Sequence, residues 1–258
     1  MRALVDRLAA ARADPTRAVL EGFHALKHAL RFGAQVELAV TSDPDGLDAL
    51  AAALAPDVGE RLRALVTPVE REVLRAGGGR LHHTEVVAIA RRPPFDPAAV
   101  LAPRSGDGRP LVLLEDPRHV GNVGAVVRVA AAADAGAVLT TGGRDPWDPA
   151  ALRGAAGLHY ALPVGRIALE ALDAPDAASR PLIVLDPAGE PLRPGGPAPI
   201  PPGAIVAFGT ERHGASAALL ARADRRLRIP MRAGVSSLNL ATAVSAVLFA
   251  VRLGAAAG

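Results

Sequence analysis

Short apolar runs recur along this chain, separated by stretches of helical spacing or polar turns, and that alternation restricts its fold more than any other feature. Leu111 to Leu114, Ala137 to Thr140, Leu182 to Leu185 and Ile205 to Phe208 have strand character. Helical stretches are predicted from about Asn122 to Ala133, near Pro149 to Ala155 and near Ser216 to Ala221, followed by a last helix. The N-terminal part alternates too. Apolar residues at Val19, Leu20, Phe23, Leu26 and Leu30 predict a helix over Arg17 to Arg31 that Gly33 stops. Strand Val36 to Val40, a turn at Asp43 to Gly46, helix Leu47 to Leu54, strand Ala64 to Val66, helix Glu70 to Leu74 and strand Val86 to Ala90 follow. Such a chain builds a layered α/β fold.

The 258 residues allow one large domain or two modest ones. Arg91-Arg92-Pro93-Pro94 and the Pro- and Gly-rich run Ala102 to Pro110 read as a connection. The expected domains are therefore 1–100 and 101–258. The proline-dense segment Asp186 to Gly203 reads as a loop, and no repeat of fixed period is visible.

Half of the residues are hydrophobic and 21% are charged, enough apolar material for a packed core. With aromatics at 3%, that core must be aliphatic. The absence of cysteine excludes disulfides, thiolate metal sites and cysteine nucleophiles. Lys27 is the only lysine among 29 basic residues, so the positive charge is carried by arginine, whose planar fork suits phosphate. A net charge of +3 does not by itself identify a nucleic-acid binder. The charged start, MRALVDRLAAARADPTR, lacks a signal-peptide core, and a cytoplasmic location is expected. Leu238 to Leu253 is shorter than the ~20 residues of a spanning helix. It also holds Asn239, Thr242, Ser245 and Arg252, so a buried or interfacial helix is expected and no membrane span.

Three segments in the C-terminal half break the aliphatic pattern. In Glu115-Asp116-Pro117-Arg118-His119-Val120-Gly121-Asn122-Val123-Gly124 a strand ends in a polar loop, with Asn122 able to cap the next helix and Arg128 about two turns along it. An ordinary strand-to-helix turn with a surface arginine fits as well, and the glycine pattern is not that of a dinucleotide site. Phe208-Gly209-Thr210-Glu211-Arg212-His213-Gly214 opens an apolar strand into a loop where glycine permits close approach of a ligand. A tight turn with a solvated Glu211 is the plainer alternative. Ile229-Pro230-Met231-Arg232-Ala233-Gly234-Val235-Ser236-Ser237-Leu238-Asn239 leads into the last helix, where serine and asparagine commonly cap. The pair His82-His83 has no companions at metal-ligand spacing, and no metal is expected.

Taken in order, these segments resemble the SpoU/TrmH branch of the SPOUT methyltransferases from about Leu111 to Val251. The matching motifs are N-x-G-x-x-x-R at Asn122 to Arg128, G-T-E-x-x-G at Gly209 to Gly214, and I-P-M with S-S-L-N at Ile229 to Asn239. Leu152 to Gly157 is similar to a further arginine- and glycine-containing stretch, with Ala155 where serine is common. Val19-Leu20-Glu21-Gly22-Phe23-His24-Ala25-Leu26-Lys27 and His83 to Ala90 resemble the opening and end of the L30e-like substrate-binding domain fused to many of these enzymes.

The resemblance implies a parallel-sheet α/β domain with a C-terminal trefoil knot, an exception to the rule that chains are unknotted. It also implies a homodimer and S-adenosylmethionine-dependent methylation of a ribose 2′-oxygen in RNA, with ribosomal RNA favoured and transfer RNA open. Carried over by motif, Gly209, Ile229, Met231 and Leu238 would hold the cofactor, with Thr140, Thr141 and Gly142 nearby. Asn122, Arg128, Glu211, Ser237 and Asn239 would serve the chemistry. A guanidinium in water keeps its proton, so Arg128 is expected to clamp ribose and phosphate, oriented by Glu211. A silent RNA-binding protein of the same fold and a nucleotide-binding oxidoreductase are the alternatives. The retained Arg128, Glu211 and Asn239 argue against the first, and the missing glycine fingerprint argues against the second.

Overall fold

A computed structural model of the chain describes residues 2–77, 82–193 and 200–256. It divides into two compact units, 1–94 together with 155–161, and 95–154 together with 162–258.

The first unit contains α1 (Arg2–Ala13), β1 (Arg17–Glu21), α2 (Phe23–Arg31), β2 (Val36–Thr41), α3 (Pro44–Leu54), α4 (Gly59–Leu65), β3 (Val66–Pro68), α5 (Arg71–Ala76) and β4 (Val86–Arg91). Its sheet runs β1-β4-β2-β3, with β4 antiparallel to both neighbours and β2 parallel to β3. Leu8, Val19, Val40, Leu74, Val87 and Ile89 form an aliphatic core. The single helix expected over Arg17 to Arg31 is instead a strand and a helix. Gly22, at φ 92°, breaks the run, and Val19 and Leu20 are buried on β1. The expected turn at Asp43 to Gly46 is the first turn of α3, where the Asp43 side chain accepts from Gly46 N–H at 2.9 Å and Pro44 suits the opening position.

The second unit contains α6 (Pro97–Leu101), β5 (Leu111–Leu114), α7 (Val120–Ala132), β6 (Ala137–Thr140), α8 (Pro149–Gly154), β7 (Val164–Arg166), α9 (Pro175–Ala178), β8 (Leu182–Pro191), β9 (Ile205–Phe208), α10 (Ala217–Arg222), β10 (Arg225–Arg228) and α11 (Leu240–Ala256). Its six strands lie in the order β10-β8-β9-β5-β6-β7, and every pairing is parallel. All four residues of β5, β6 and β9 are buried, as expected for strands covered on both faces. The two edge strands are short. β10, Arg-Arg-Leu-Arg, buries only Leu227 and carries the exposed charge that blunts sheet edges.

The proline-dense loop expected from Asp186 is instead part of β8 as far as Pro191. β10 pairs Arg226 with Val184 but Leu227 with Glu190, so the intervening residues bulge out. Proline is tolerated at such a bulge, where Pro187 has no ladder hydrogen bond to make. Residues 194–199 of that expected loop lie outside the described residues.

α7 buries Val123, Val126, Val127 and Ala130, and α11 buries Leu240, Val244, Val247 and Leu248. Close packing of α7 with α8 depends on a missing side chain: a Cβ on Gly124 would lie 2.2 Å from the Ala151 carbonyl oxygen. Gly124→Ala should therefore separate these helices and cost about 1–3 kcal/mol of stability. Urea unfolding monitored by circular dichroism checks this, and an unchanged midpoint would contradict the packing.

Candidate active site

Because the strands of the second sheet are parallel, their carboxyl ends share one edge, which is where open α/β sheets bind ligands. The chain leaves β5 toward β6 and β7, whereas β9 and β8 lie on the other side of β5. Beside this switch point is a cleft of about 1340 Å³. It is larger than the ~300–1,000 Å³ usual for one small molecule. The loops after β9 and β10 and the bulge of β8 form its walls.

The loop after β9 is held by close backbone contacts. A Cβ on Gly209 would meet Ala215 N and Gly214 C at 2.1 Å, so only glycine fits there. Thr210 and Gly214 exchange backbone hydrogen bonds of 2.9 and 3.0 Å, and Gly214 turns the chain at φ 69°. Ser216 then caps α10 by accepting from Leu219 N–H. It also donates its own N–H, at 2.8 Å, and its hydroxyl to Glu115, a buried carboxylate at the end of β5. The root of the loop is thereby fastened to the neighbouring strand.

Glu211, at the tip of that loop, joins the three motif segments. Its Oε1 accepts from Asn122 Nδ2 at 3.2 Å and its Oε2 from Arg118 N–H at 3.3 Å. Asn122 Oδ1 in turn accepts from Asn239 Nδ2 at 3.1 Å. Burial opposes the charge on Glu211, but the N–H groups of Glu211, Arg118 and His119 and the Asn122 amide together outweigh it and hold the carboxyl below its ordinary value. Glu211 is therefore an anchor at neutral pH and a poor general base. Asn239 has a second role, accepting from Ala241 and Thr242 N–H at the start of α11.

The family model for the SpoU rRNA methylases matches residues 109–249, a span that takes in the whole network. The chain belongs to the SpoU rRNA methylase family. It is 34% identical to the zebrafish (Danio rerio) mitochondrial rRNA methyltransferase 3B over 149 residues, 57% of this chain and 32% of that protein. It is 29% identical to the 23S rRNA (uridine(2479)-2′-O)-methyltransferase of Streptomyces viridochromogenes over 180 residues, 64% of this chain and 58% of that one. The chain thus spans less than two thirds of either relative. The crystal structure of an AdoMet-bound rRNA methyltransferase from Sinorhizobium meliloti superposes with a TM-score of 0.74 at 25% identity, covering 98% of this chain and 92% of that one.

Within this SpoU unit the expected site residues separate into two groups. Asn122, Gly209, Glu211, Ile229, Met231, Ser237, Leu238 and Asn239 line the cleft. Arg128 does not. It is exposed on α7 and, among the described residues, has no hydrogen bond or ion pair, so the expected orientation by Glu211 is replaced by the bonds from Arg118 and Asn122. Asn122 is not the helix cap either. The cap position is His119, which leaves the Asn122 amide inside the first turn to reach Glu211. Thr140 and Thr141 are buried and Gly142 is exposed on the neighbouring strand end, away from the cleft lining. Thr141 Oγ1 accepts from Asp116 N–H.

Sequence reasoning assigned no role to Glu115 or Ser216. The available signals were an acid directly after an all-apolar strand and a serine directly before a helix.

The Glu211 network implies a pH dependence of definite sign. A carboxyl held below its ordinary value of ~4.3 stabilises the fold above that pH, and the contribution is lost as pH falls through the depressed value. Glu211→Gln should therefore melt below the parent protein at pH 7, and the gap should close as pH falls below about 4. Thermal melts across this range decide it, and a gap that widens in acid would contradict the arrangement.

Proposed function

We propose that this protein methylates a ribose 2′-oxygen in ribosomal RNA with S-adenosylmethionine as donor. The observation that carries the reading is the Glu211–Asn122–Asn239 network, which brings side chains from all three motifs to the cleft. The names of the relatives and the AdoMet bound to the Sinorhizobium meliloti enzyme support it.

The residues present fit that cofactor. Leu227, Ile229 and Leu238 offer apolar surface for a purine. Among the described residues, the backbone from 229 to 238 makes one internal hydrogen bond, Val235 N–H to Arg232 O, leaving polar groups to read ring edges and an amino acid moiety. When bound, S-adenosylmethionine supplies a methyl group on a positively charged sulfur.

The protein's part is to hold the ribose hydroxyl in line and stabilise charge as its proton passes to solvent water. The Asn122 and Asn239 amides each commit one N–H within the network, and each retains a second for a ribose oxygen. Ionised Glu211 fixes both amides in register. Ser237, exposed on the cleft wall, supplies a hydroxyl to the same substrate.

Arg128 does not line the cleft of its own chain. A homodimer with Arg128 serving the partner's cleft accounts for this, and exposed Val235 and Leu253 supply apolar surface for such an interface. The placement of β10 beyond β8, although it follows β9 in the chain, supports the trefoil-knot threading. The first unit is read as the L30e-like domain that engages RNA, in the cytoplasm.

Arg128→Ala should lower methyl incorporation into ribosomal RNA at least 100-fold while cofactor affinity stays within a few-fold, since an interaction made in the transition state appears in turnover. Arg128→Lys should rescue little, because a point charge does not reproduce the fork. Mixing the Arg128→Ala and Asn239→Ala proteins should restore part of the activity across the dimer. Near-normal turnover by Arg128→Ala, or equal loss of cofactor binding, would remove Arg128 from the chemistry.

A further inference from the structure

In the first unit a second cleft, of about 470 Å³, lies where β1 and β2 begin and β4 ends. Its size falls within the ~300–1,000 Å³ of small-ligand sites. Three guanidiniums, from Arg17, Arg91 and Arg92, line it against one carboxylate, Glu37. Arg17 and Arg91 are directly paired across β1 and β4, where like charges repel. Glu37 offsets this by accepting from both, Arg17 Nε on one oxygen and Arg91 Nε on the other, each at 2.8 Å. Arg17 is also bridged to Asp14 at 2.6 Å, and Arg92 Nε donates to the Arg17 carbonyl at 2.8 Å, so these arginines are held in place, while Arg91 meets Glu37 through Nε and presents the rest of its guanidinium to solvent.

Two aromatic residues also line it, in a chain with five Phe, one Trp and one Tyr. Tyr160 forms one side, its hydroxyl donating to the Arg91 carbonyl at 3.1 Å. Phe32 forms another. It ends α2 just before Gly33, which turns the chain at φ 80°, and it is the only phenylalanine among the exposed large hydrophobic residues described, at 45% exposure. An exposed ring beside fixed guanidiniums suits an unstacked base joined to a phosphate.

We propose that this cleft binds one nucleotide of single-stranded RNA, with the base on Phe32 and the phosphate at Arg91. The inference rests on the RNA reading above and adds a contact point that the methyl-transfer cleft does not contain.

The test uses the full chain and fluorescence anisotropy of a labelled ten-nucleotide oligouridylate at low salt, with S-adenosylmethionine affinity measured in parallel. Phe32→Ala should weaken the oligonucleotide about tenfold or more, and Phe32→Tyr should retain most of the affinity, because the stacking face survives. Arg91→Ala should lower affinity and reduce the slope of log affinity against log salt by ~0.7, the value for one phosphate contact on a single strand. Cofactor affinity should be unchanged in all three. Arg91 is 64% exposed in its side chain, so its variant keeps the test decisive should Phe32→Ala disturb folding. Parent-like affinity and salt slope in Phe32→Ala and Arg91→Ala, or no oligonucleotide binding by the parent protein, would overturn the proposal. If the parent protein still methylates RNA, that result leaves the methyl-transfer reading standing. Failure of the parent protein to bind cofactor or incorporate methyl groups would instead overturn that reading.

Discussion

The Glu211 carboxylate is the interaction on which the site depends. Its two oxygens take hydrogen bonds from the loop after β5 and from the first turn of α7, and through Asn122 the same anion reaches Asn239 at the head of α11. A half-buried charge of this kind is costly unless its acceptors are filled, and here backbone and amide N–H groups fill them. Segments separated by about 90 and 117 residues in the chain are thereby fixed relative to one another. Removing the charge would loosen three loops at once.

That anchor works because the sheet and its glycines prepare it. A wholly parallel sheet delivers the ends of β5, β8, β9 and β10 to one edge, where loops can meet without long excursions. Gly209 then lets the loop fold back upon Gly214 and Ala215, and Glu115 fastens the same loop at its root through Ser216. Gly124 performs an analogous service for α7, on which Asn122 and Arg128 sit. Glycine in these motifs is chiefly a requirement of packing.

Much of this was legible in the sequence, for reasons that differ by element. The four-residue runs of β5, β6 and β9 were readable because strands buried on both faces tolerate little besides aliphatic residues. β10 was not, since Arg-Arg-Leu-Arg has no apolar pattern and owes its strand geometry to pairing with β8. The long β8 hid behind its prolines, which the bulge accommodates. β1 reads as helix from its sequence because Val19, Leu20 and Phe23 fit both periods, and the chain direction changes at Gly22. Motif order singles out Asn122, Glu211 and Asn239, whereas their mutual bonding follows from loop geometry. The position of Arg128, away from its own cleft, was beyond what spacing along one helix can reveal.

We propose that these side chains direct a methyl group to a ribose oxygen of RNA. Methylation at the 2′-oxygen blocks attack on the adjacent phosphate, so the modified linkage survives alkali while others are cleaved. The most direct measurement is to incubate the full chain with methyl-labelled S-adenosylmethionine and deproteinised ribosomal RNA, hydrolyse the RNA in alkali and separate the products. The account predicts label in alkali-resistant dinucleotides. Label in mononucleotides, which marks a methylated base, or no label from a folded protein that binds the cofactor, would contradict it.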